Sequence, residues 1–402
     1  MTKTHKPPKI IIYGQEGGAR SYIGILLLSY LRQLTGVPTS QLADYMAGPS
    51  GGQIFLSALN TPKRSVPDQP RHSEEDVAQL YKQALPKIFE KGMLRHVFGA
   101  ANNRLPFFSH DSSLRQFLRD QYFHDQQILE ECLKRLLGED TKVRDTILPS
   151  LIPMREFAGD NYRASVLEDV EGQKTNFADL PLYKAVMASC MAPVAYDSYT
   201  FDYEGKTYNM IDGAMFEKPA FVTNIVESHE PDAEISLIYI GTGYNRASHT
   251  VDHYRNRNHH GLFKFAGNNG PLLASEFMDA GTKASDNSLK HRLKENLYAI
   301  NFDLRDYFPD GNAPHIDVAT PEVLEKYEAI ALDVFEKNRE TFEAIARLYE
   351  YKANWTPDRN QVPSNSKWRM RSIVQGISSY LSPTNRSNEI IQPDKPTSLK
   401  VA

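Results

Sequence analysis

Tyr45-Met46-Ala47-Gly48-Pro49-Ser50-Gly51-Gly52-Gln53-Ile54-Phe55-Leu56 decides how this chain is read. The apolar run Leu42 to Ala47 predicts a short strand, and Gly51 to Leu59 predicts a helix stopped by Asn60 and Pro62. Between them Gly48-Pro49-Ser50-Gly51-Gly52 fits G-x-S-x-G. A serine forced into a sharp strand-to-helix turn needs neighbours without side chains two residues to either side, and the turn lifts its hydroxyl out of the sheet. The hydroxyl then sits at a helix N-terminus, where the dipole favours negative charge. On this motif alone, a glycine-rich turn with a serine cap is as good a reading as a nucleophile.

Before the motif, Lys9 to Tyr13 is a β-branched, apolar run that suits a buried strand. Gly14 to Ser21 is a loop holding Gly14, Gly17 and Gly18, and Tyr22 to Leu34 is a helix apolar nearly all round, hence buried. Gly36 closes it and Pro38 follows. Gly17-Gly18-Ala19 thus joins a strand to a buried helix, a place where successive N–H groups converge on an anion. Beside a nucleophilic serine that anion is the oxyanion of a tetrahedral intermediate. A phosphate-binding turn is the competing reading, but G-x-G-x-x-G and the P-loop lysine are both absent.

After the motif, Tyr199 to Tyr203 and Thr207 to Ile211 alternate around Glu204-Gly205-Lys206, a hairpin signal. Asp212-Gly213-Ala214 follows and puts a carboxylate at a strand end, though taken alone the triplet reads better as a plain Asp-Gly turn. Ser, Asp, His in chain order is the α/β-hydrolase arrangement, which builds several strands before its nucleophile. Ser50 is reached after only about two strands and one helix. His229, His249, His253, His259, His260, His291 and His315 lie downstream of Asp212, none in a diagnostic setting. His253, His259 and His260 have no supporting Cys or carboxylate cluster, so no metal is expected.

Around this frame, Thr61 to His72 reads as loop, and Glu74 to Lys91 and Ser112 to Gly138 as charged helices, making residues 61–150 a helical insertion. Leu151 to Phe157, Arg163 to Leu167, Glu234 to Ile240 and Leu297 to Phe302 are strand candidates. Leu182 to Met191 is a small-residue helix ending before Pro193. Pro321 to Lys352 is one long helical stretch whose stripe of Leu324, Tyr327, Ile330, Ala331, Val334 and Phe335 faces a core. No repeat of solenoid period is present.

Composition agrees with an ordinary globular chain: 402 residues, 41% apolar, 24% charged, net charge −4. That excludes collagen, a mainly disordered chain and a disulfide miniprotein, and it lacks the basic surplus of a nucleic-acid protein. The two cysteines, Cys132 and Cys190, fit a reducing compartment, Cys190 as a buried small hydrophobe. Ile10 to Tyr13 is too short for a signal-peptide core, and Ile23 to Leu31 too short to span a bilayer. The expectation is a cytoplasmic or peripheral membrane protein.

With these residues placed, the chain resembles the patatin-like phospholipase family over roughly residues 9 to 305. Glu16-Gly17-Gly18-Ala19-Arg20-Ser21 is similar to that family's Gly-Gly-Gly-x-Arg-Gly oxyanion loop, and Gly48-Pro49-Ser50-Gly51-Gly52 to its nucleophile elbow. Ala188-Ser189-Cys190-Met191-Ala192-Pro193 is similar to its Ala-Ser-x-x-Ala-Pro helix end. Asp212-Gly213-Ala214 resembles its Asp-Gly-[Gly/Ala] motif, and Ile240-Gly241-Thr242-Gly243 its Leu-Gly-Thr-Gly strand end. The resemblance implies a three-layer α/β fold with a central, mostly parallel sheet flanked by helices. The expected domains are a catalytic domain over 1–320 containing the insertion at 61–150, a C-terminal helical region over 321–382 and, from its Pro-, Ser-, Asn- and Lys-rich composition, a disordered tail over 383–402.

The implied chemistry is a Ser–Asp dyad without histidine and without a cofactor. Ser50 is the nucleophile and Asp212 the base. Amides of Gly17, Gly18 and Ala19 hold the oxyanion, Arg20 braces the loop, and Gly48, Gly52 and Gly213 support the turns. A base needs its carboxyl pKa raised by burial from near 3.9 in water. The implied substrate is a phospholipid or lysophospholipid, with a protein or nucleotide activator left open. Glu16 and Ser21 stand where the family has its first and last loop glycines, and Glu217-Lys218-Pro219 where it has Asn-Asn-Pro. A Glu16 carboxylate pointing inward would oppose an oxyanion, which leaves a catalytically weak lipid- or partner-binding relative as an alternative, beside a Ser–His–Asp esterase.

Two further segments bear on membranes. Met370, Ile373, Val374, Ile377, Tyr380 and Leu381 make an amphipathic stripe behind Lys367, Trp368, Arg369 and Arg371, so residues 367–382 suit either an anionic membrane surface or docking on the body. Pro106-Phe107-Phe108 in the insertion suits either a cover that admits acyl chains or simple packing. Several members of the resembled family are secreted toxins, and the Pro-, Ser-, Asn- and Lys-rich tail would suit export by a route without a signal peptide.

Overall fold

The structure, a computed structural model, describes residues 8–90, 124–157, 159–167, 174–193, 195–244, 281–308, 313–314 and 316–354. Strand β1 (Lys9–Gly14) is buried along its length, as its continuous Ile-Ile-Ile-Tyr run requires of a strand covered on both faces. Helix α1 (Ser21–Thr35) follows and ends at Gly36, whose φ of 72° lets its N–H reach back to Arg32 O. The predicted strand from Leu42 is shorter than expected. Pro38 starts a one-turn helix, Thr39–Leu42, and only Tyr45–Ala47 pairs as β2. Helix α2 (Ser50–Asn60) springs from the end of β2.

The next segment opens with a hairpin rather than the expected loop: β3 (Pro62–Lys63) pairs with β4 (Val66–Pro70). Its turn, Arg64-Ser65, carries too little apolar pattern to announce two strands. Helices α3 (Glu74–Ile88) and α4 (Gln126–Leu137) follow. Asn60 ties the exit and return of this excursion together. Its Nδ2 donates to Leu148 O and its Oδ1 accepts from Leu148 N, each at 2.8 Å.

The chain then builds β5 (Ser150–Glu156), β6 (Asn161–Ala164) and β7 (Lys174–Asn176), helix α5 (Leu182–Cys190), and the hairpin β8 (Tyr199–Tyr203) with β9 (Lys206–Asp212). Glu204 and Gly205, both at positive φ, make the tight turn that matches strand twist. Helix α6 (Pro219–His229), β10 (Ile235–Ile240), a helix over 281–293 and β11 (Leu297–Ile300) complete the sheet and one flanking layer. The long C-terminal stretch is two helices, α7 (Pro321–Lys337) and α8 (Arg339–Ala353). Asn338 breaks it by turning its own amide back onto Val334 O at 2.8 Å, and Phe342 folds against Phe335 with ring centroids 4.8 Å apart.

Nine of the eleven described strands form one sheet in the order β11-β10-β1-β2-β5-β6-β7, with β9 also on β5 and β8 on β9, while β3 and β4 pair apart. From β11 to β5 all pairs are parallel. One face, with Ile11, Tyr13, Tyr45, Leu237 and Tyr239, packs under Val222, Ile225 and Val226 of α6 and Leu289 and Leu293. The fold is therefore α/β with a mostly parallel central sheet flanked by helices, as the motifs implied.

The joint that builds the site lies between β2 and β5. β2 pairs with β5 only at Met46↔Ser150 and Ala47↔Leu151. Beyond Leu151 that edge of β5 is free, and β9 occupies it in antiparallel register, Met154↔Asp212 to Glu156↔Met210. β9 thus runs toward the end of β2 and stops there, which delivers Asp212 to the place where the chain leaves β2 for Ser50.

Candidate active site

Ser50 is at φ 54°, a left-handed conformation rare for a residue with a Cβ and costly when not held by its surroundings. The surroundings hold it. A Cβ on either Gly48 or Gly52 would overlap the carbonyl oxygen of Gly14. The end of β1 therefore presses into the elbow from below, and the two glycines are needed because no side chain fits between. The turn leaves Ser50 half-buried at the first position of α2.

Asp212 is 2% exposed. Its Oδ1 accepts the N–H of Ala214 at 2.8 Å, and its carboxylate faces the Ser50 hydroxyl. Burial pushes its pKa up to about 7, against the pull of the Ala214 N–H and the Ser50 hydroxyl; the nearby Glu16 charge adds to the rise and Lys218 opposes it. A carboxyl poised there can remove a proton near neutrality, which one at the ordinary value does poorly. Gly213 is fixed by the same crowding, since a Cβ there would overlap Pro153 O.

The glycine loop faces these two groups. Gly17 lies so close to Thr242 that a Cβ would fall 2.5 Å from its Oγ1, and Gly18 is at φ 54°. Thr242 Oγ1 donates to Glu16 O at 2.6 Å, and Thr242 N–H donates to Gln15 Oε1 at 3.0 Å, so the strand end after β10 anchors the loop. One expectation is corrected. The Ala19 N–H donates to Ile316 O at 2.7 Å, and the other end of that peptide, Gly18 O, accepts from Ser21 Oγ at 2.6 Å. Ala19 is thereby spent as an oxyanion donor. The amides of Gly17 and Gly18 make no hydrogen bond with another described residue and remain for the role. Ser21, in a place expected to hold glycine, pins this peptide.

The two charged departures from the family pattern meet each other. Lys218 Nζ donates to Glu16 Oε1 at 2.9 Å and to Ala214 O at 3.0 Å. Glu16 is thus paired rather than aimed unopposed at an oxyanion. Glu217 turns the other way and makes a buried fork with Arg163, at 3.1 Å to Nε and 2.5 Å to Nη2. Arg163 and Gln15 carried no sequence signal for these roles; Glu16 and Lys218 did, as departures, but not as partners. Arg20 is half-buried, and its charge acts on the Tyr327 hydroxyl of α7.

Of the seven histidines downstream of Asp212, His229 and His291 lie among the described residues, and neither bonds to Asp212. His249, His253, His259, His260 and His315 lie outside them, as do Pro106-Phe107-Phe108, residues 367–382 and the tail over 383–402. Among the described residues no group of three His, Cys, Asp or Glu could hold a metal ion, and no helix is long and apolar enough to cross a membrane.

Comparison with known proteins gives two findings. The profile of the family described as patatin-like phospholipase matches residues 17–223, just over half of the chain and both members of the Ser50–Asp212 pair. Among solved structures, the crystal structure of VipD from Legionella pneumophila is similar at 13% identity and a TM-score of 0.34, over 84% of this chain and 67% of that one. No curated protein matches.

Proposed function

This chain belongs to the patatin-like phospholipase family, and we propose that within it the chain is a serine lipid acyl hydrolase that cleaves carboxylic esters of phospholipids or lysophospholipids. The observation that carries the reading is that the Ser50 hydroxyl, held at the strained elbow, faces the carboxylate of Asp212, which is buried and poised at about 7. In the first half-reaction Ser50 Oγ attacks the acyl carbonyl carbon while Asp212 takes the hydroxyl proton. The carbonyl oxygen becomes an oxyanion held by the Gly17 and Gly18 N–H groups, at the positive end of α2. Collapse breaks the ester C–O bond; Asp212 returns the proton to the leaving alkoxide, and the acyl group stays on Ser50. In the second, Asp212 takes a proton from water, the hydroxide attacks the acyl carbon, and the fatty acid leaves as Ser50 regains its proton.

Two free donors rather than three give less stabilisation, since one oxyanion donor is worth about 2.7–4 kcal/mol. The Ile316 carbonyl on the Ala19 amide therefore favours a second reading, a catalytically weak relative that binds lipid or a partner. A fluorophosphonate probe and a phospholipid panel separate them. Labelling of Ser50 and release of fatty acid by the wild type, abolished in Ser50→Ala and Asp212→Asn while both stay folded, supports the hydrolase. A wild type that neither labels nor releases fatty acid overturns it in favour of the binder.

A further inference from the structure

Lys218 is nearly fully buried at the meeting point of the two catalytic loops. An ammonium group is strongly hydrated, and removing it from water needs specific compensation. Here the compensation comes from both loops. Glu16 Oε1 belongs to the segment that leads directly into Gly17 and Gly18, and Ala214 O belongs to the turn whose N–H holds Asp212 Oδ1. Glu16 is held at its backbone as well, by Thr242 Oγ1 at 2.6 Å. Pro219 starts α6 immediately after Lys218 and fixes the direction from which the side chain enters.

We propose that Lys218 is a positioning residue: through its bonds to Glu16 and Ala214 it locks the oxyanion loop to the turn that carries the base, so that donors and base keep one geometry. The proposal rests on the hydrolase reading above. It has an electrostatic consequence, because the pair places one charge of each sign beside Asp212. The other groups facing Asp212 are the Ser50 hydroxyl of α2, Cys190 of α5 and Tyr13 of β1; Glu217, paired with Arg163, faces Tyr13 and Lys218 instead. Asp286, with Lys290 beside it on the helix over 281–293, faces the Glu16–Lys218 pair rather than Asp212. Removing one member of the pair therefore leaves the other uncompensated near the base.

The test compares Lys218→Met, Glu16→Gln, the double variant and Lys218→Arg with wild type. The readouts are the pH profile of kcat/KM, the split between kcat and KM, and the carboxyl-carbon NMR titration of Asp212, assigned by its loss in Asp212→Asn. Lys218→Met is expected to lower kcat about tenfold or more with KM little changed. Its acid limb, and the Asp212 titration, move up by about one pH unit. Glu16→Gln moves both down by about the same amount, the double variant brings them back toward wild type, and Lys218→Arg stays near wild type. A merely structural lysine would lower stability without opposite movements. If neither single variant moves the Asp212 titration, or both move it the same way, the proposal falls; should Lys218→Met not fold, an unmoved titration in Glu16→Gln decides alone. A wild type without esterase activity overturns the hydrolase reading, and the NMR titration still decides the role of Lys218.

Discussion

Asp212 lies opposite Met154, on the very edge of β5 that β2 abandons after Leu151. A three-residue β2 is thus a condition for the site, because a longer β2 would keep β9 off that edge. The parallel half of the sheet leads into Ser50, and the antiparallel hairpin brings Asp212 to it from the opposite direction.

On the proposed hydrolase reading, the raised Asp212 pKa sets the pH dependence of turnover. The base must be ionised to accept a proton, so kcat/KM is expected to fall about tenfold per unit of pH below an acid limb at about 7. A pH series on a soluble short-chain ester measures it. A limb at the ordinary carboxyl value, with Ser50 still labelled, would remove Asp212 as the base.

The same shift makes the wild type pay in stability for its base. Between the ordinary value near 3.9 and the folded value of about 7, the native state binds more protons than the unfolded one, so stability falls as pH rises through that window. Asparagine has no charge to bury. Asp212→Asn is expected to be more stable than wild type by about 4 kcal/mol at about pH 8, with the gain fading toward about pH 4. Urea unfolding at several pH values reads the difference; a variant less stable at every pH contradicts the assignment.

Gly48 and Gly36 separate crowding from conformation. A Cβ on Gly48 would overlap Gly14 O, a backbone atom of a central strand, whereas one on Gly36 meets nothing within 4 Å and carries only the cost of φ 72°. Gly36→Ala is expected to cost about 1 kcal/mol. Gly48→Ala is expected to cost about 3 kcal/mol or more and to stop Ser50 labelling. Urea midpoints of the two variants check the order.

How much of this was legible follows from the range of each interaction. The elbow was legible because its requirement is local: glycines two residues either side of Ser50, a strand before and a helix after. Asp212 was legible as a strand-end carboxylate, but its closeness to Ser50 depends on β9 filling an edge that no pattern in β5 advertises. The Glu16–Lys218 pair joins positions 202 residues apart, so each looked like a separate departure from the family pattern. The loss of Ala19 as a donor was invisible for another reason: its partner is the main-chain oxygen of Ile316, which any residue possesses. The break at Asn338 was hidden by an apolar stripe that runs up to it and resumes beyond it.

Asn60 closes residues 61–147 at a narrow neck, with the outgoing and incoming chain bonded through one side chain. The neck does not isolate the excursion: the Tyr81 hydroxyl donates to Gly51 O at 3.1 Å, and Glu74 accepts from the Thr39 N–H and from Arg32, each at 2.6 Å. A change in the excursion is therefore felt at the Ser50 turn as well as at the neck, so the two are expected to vary together.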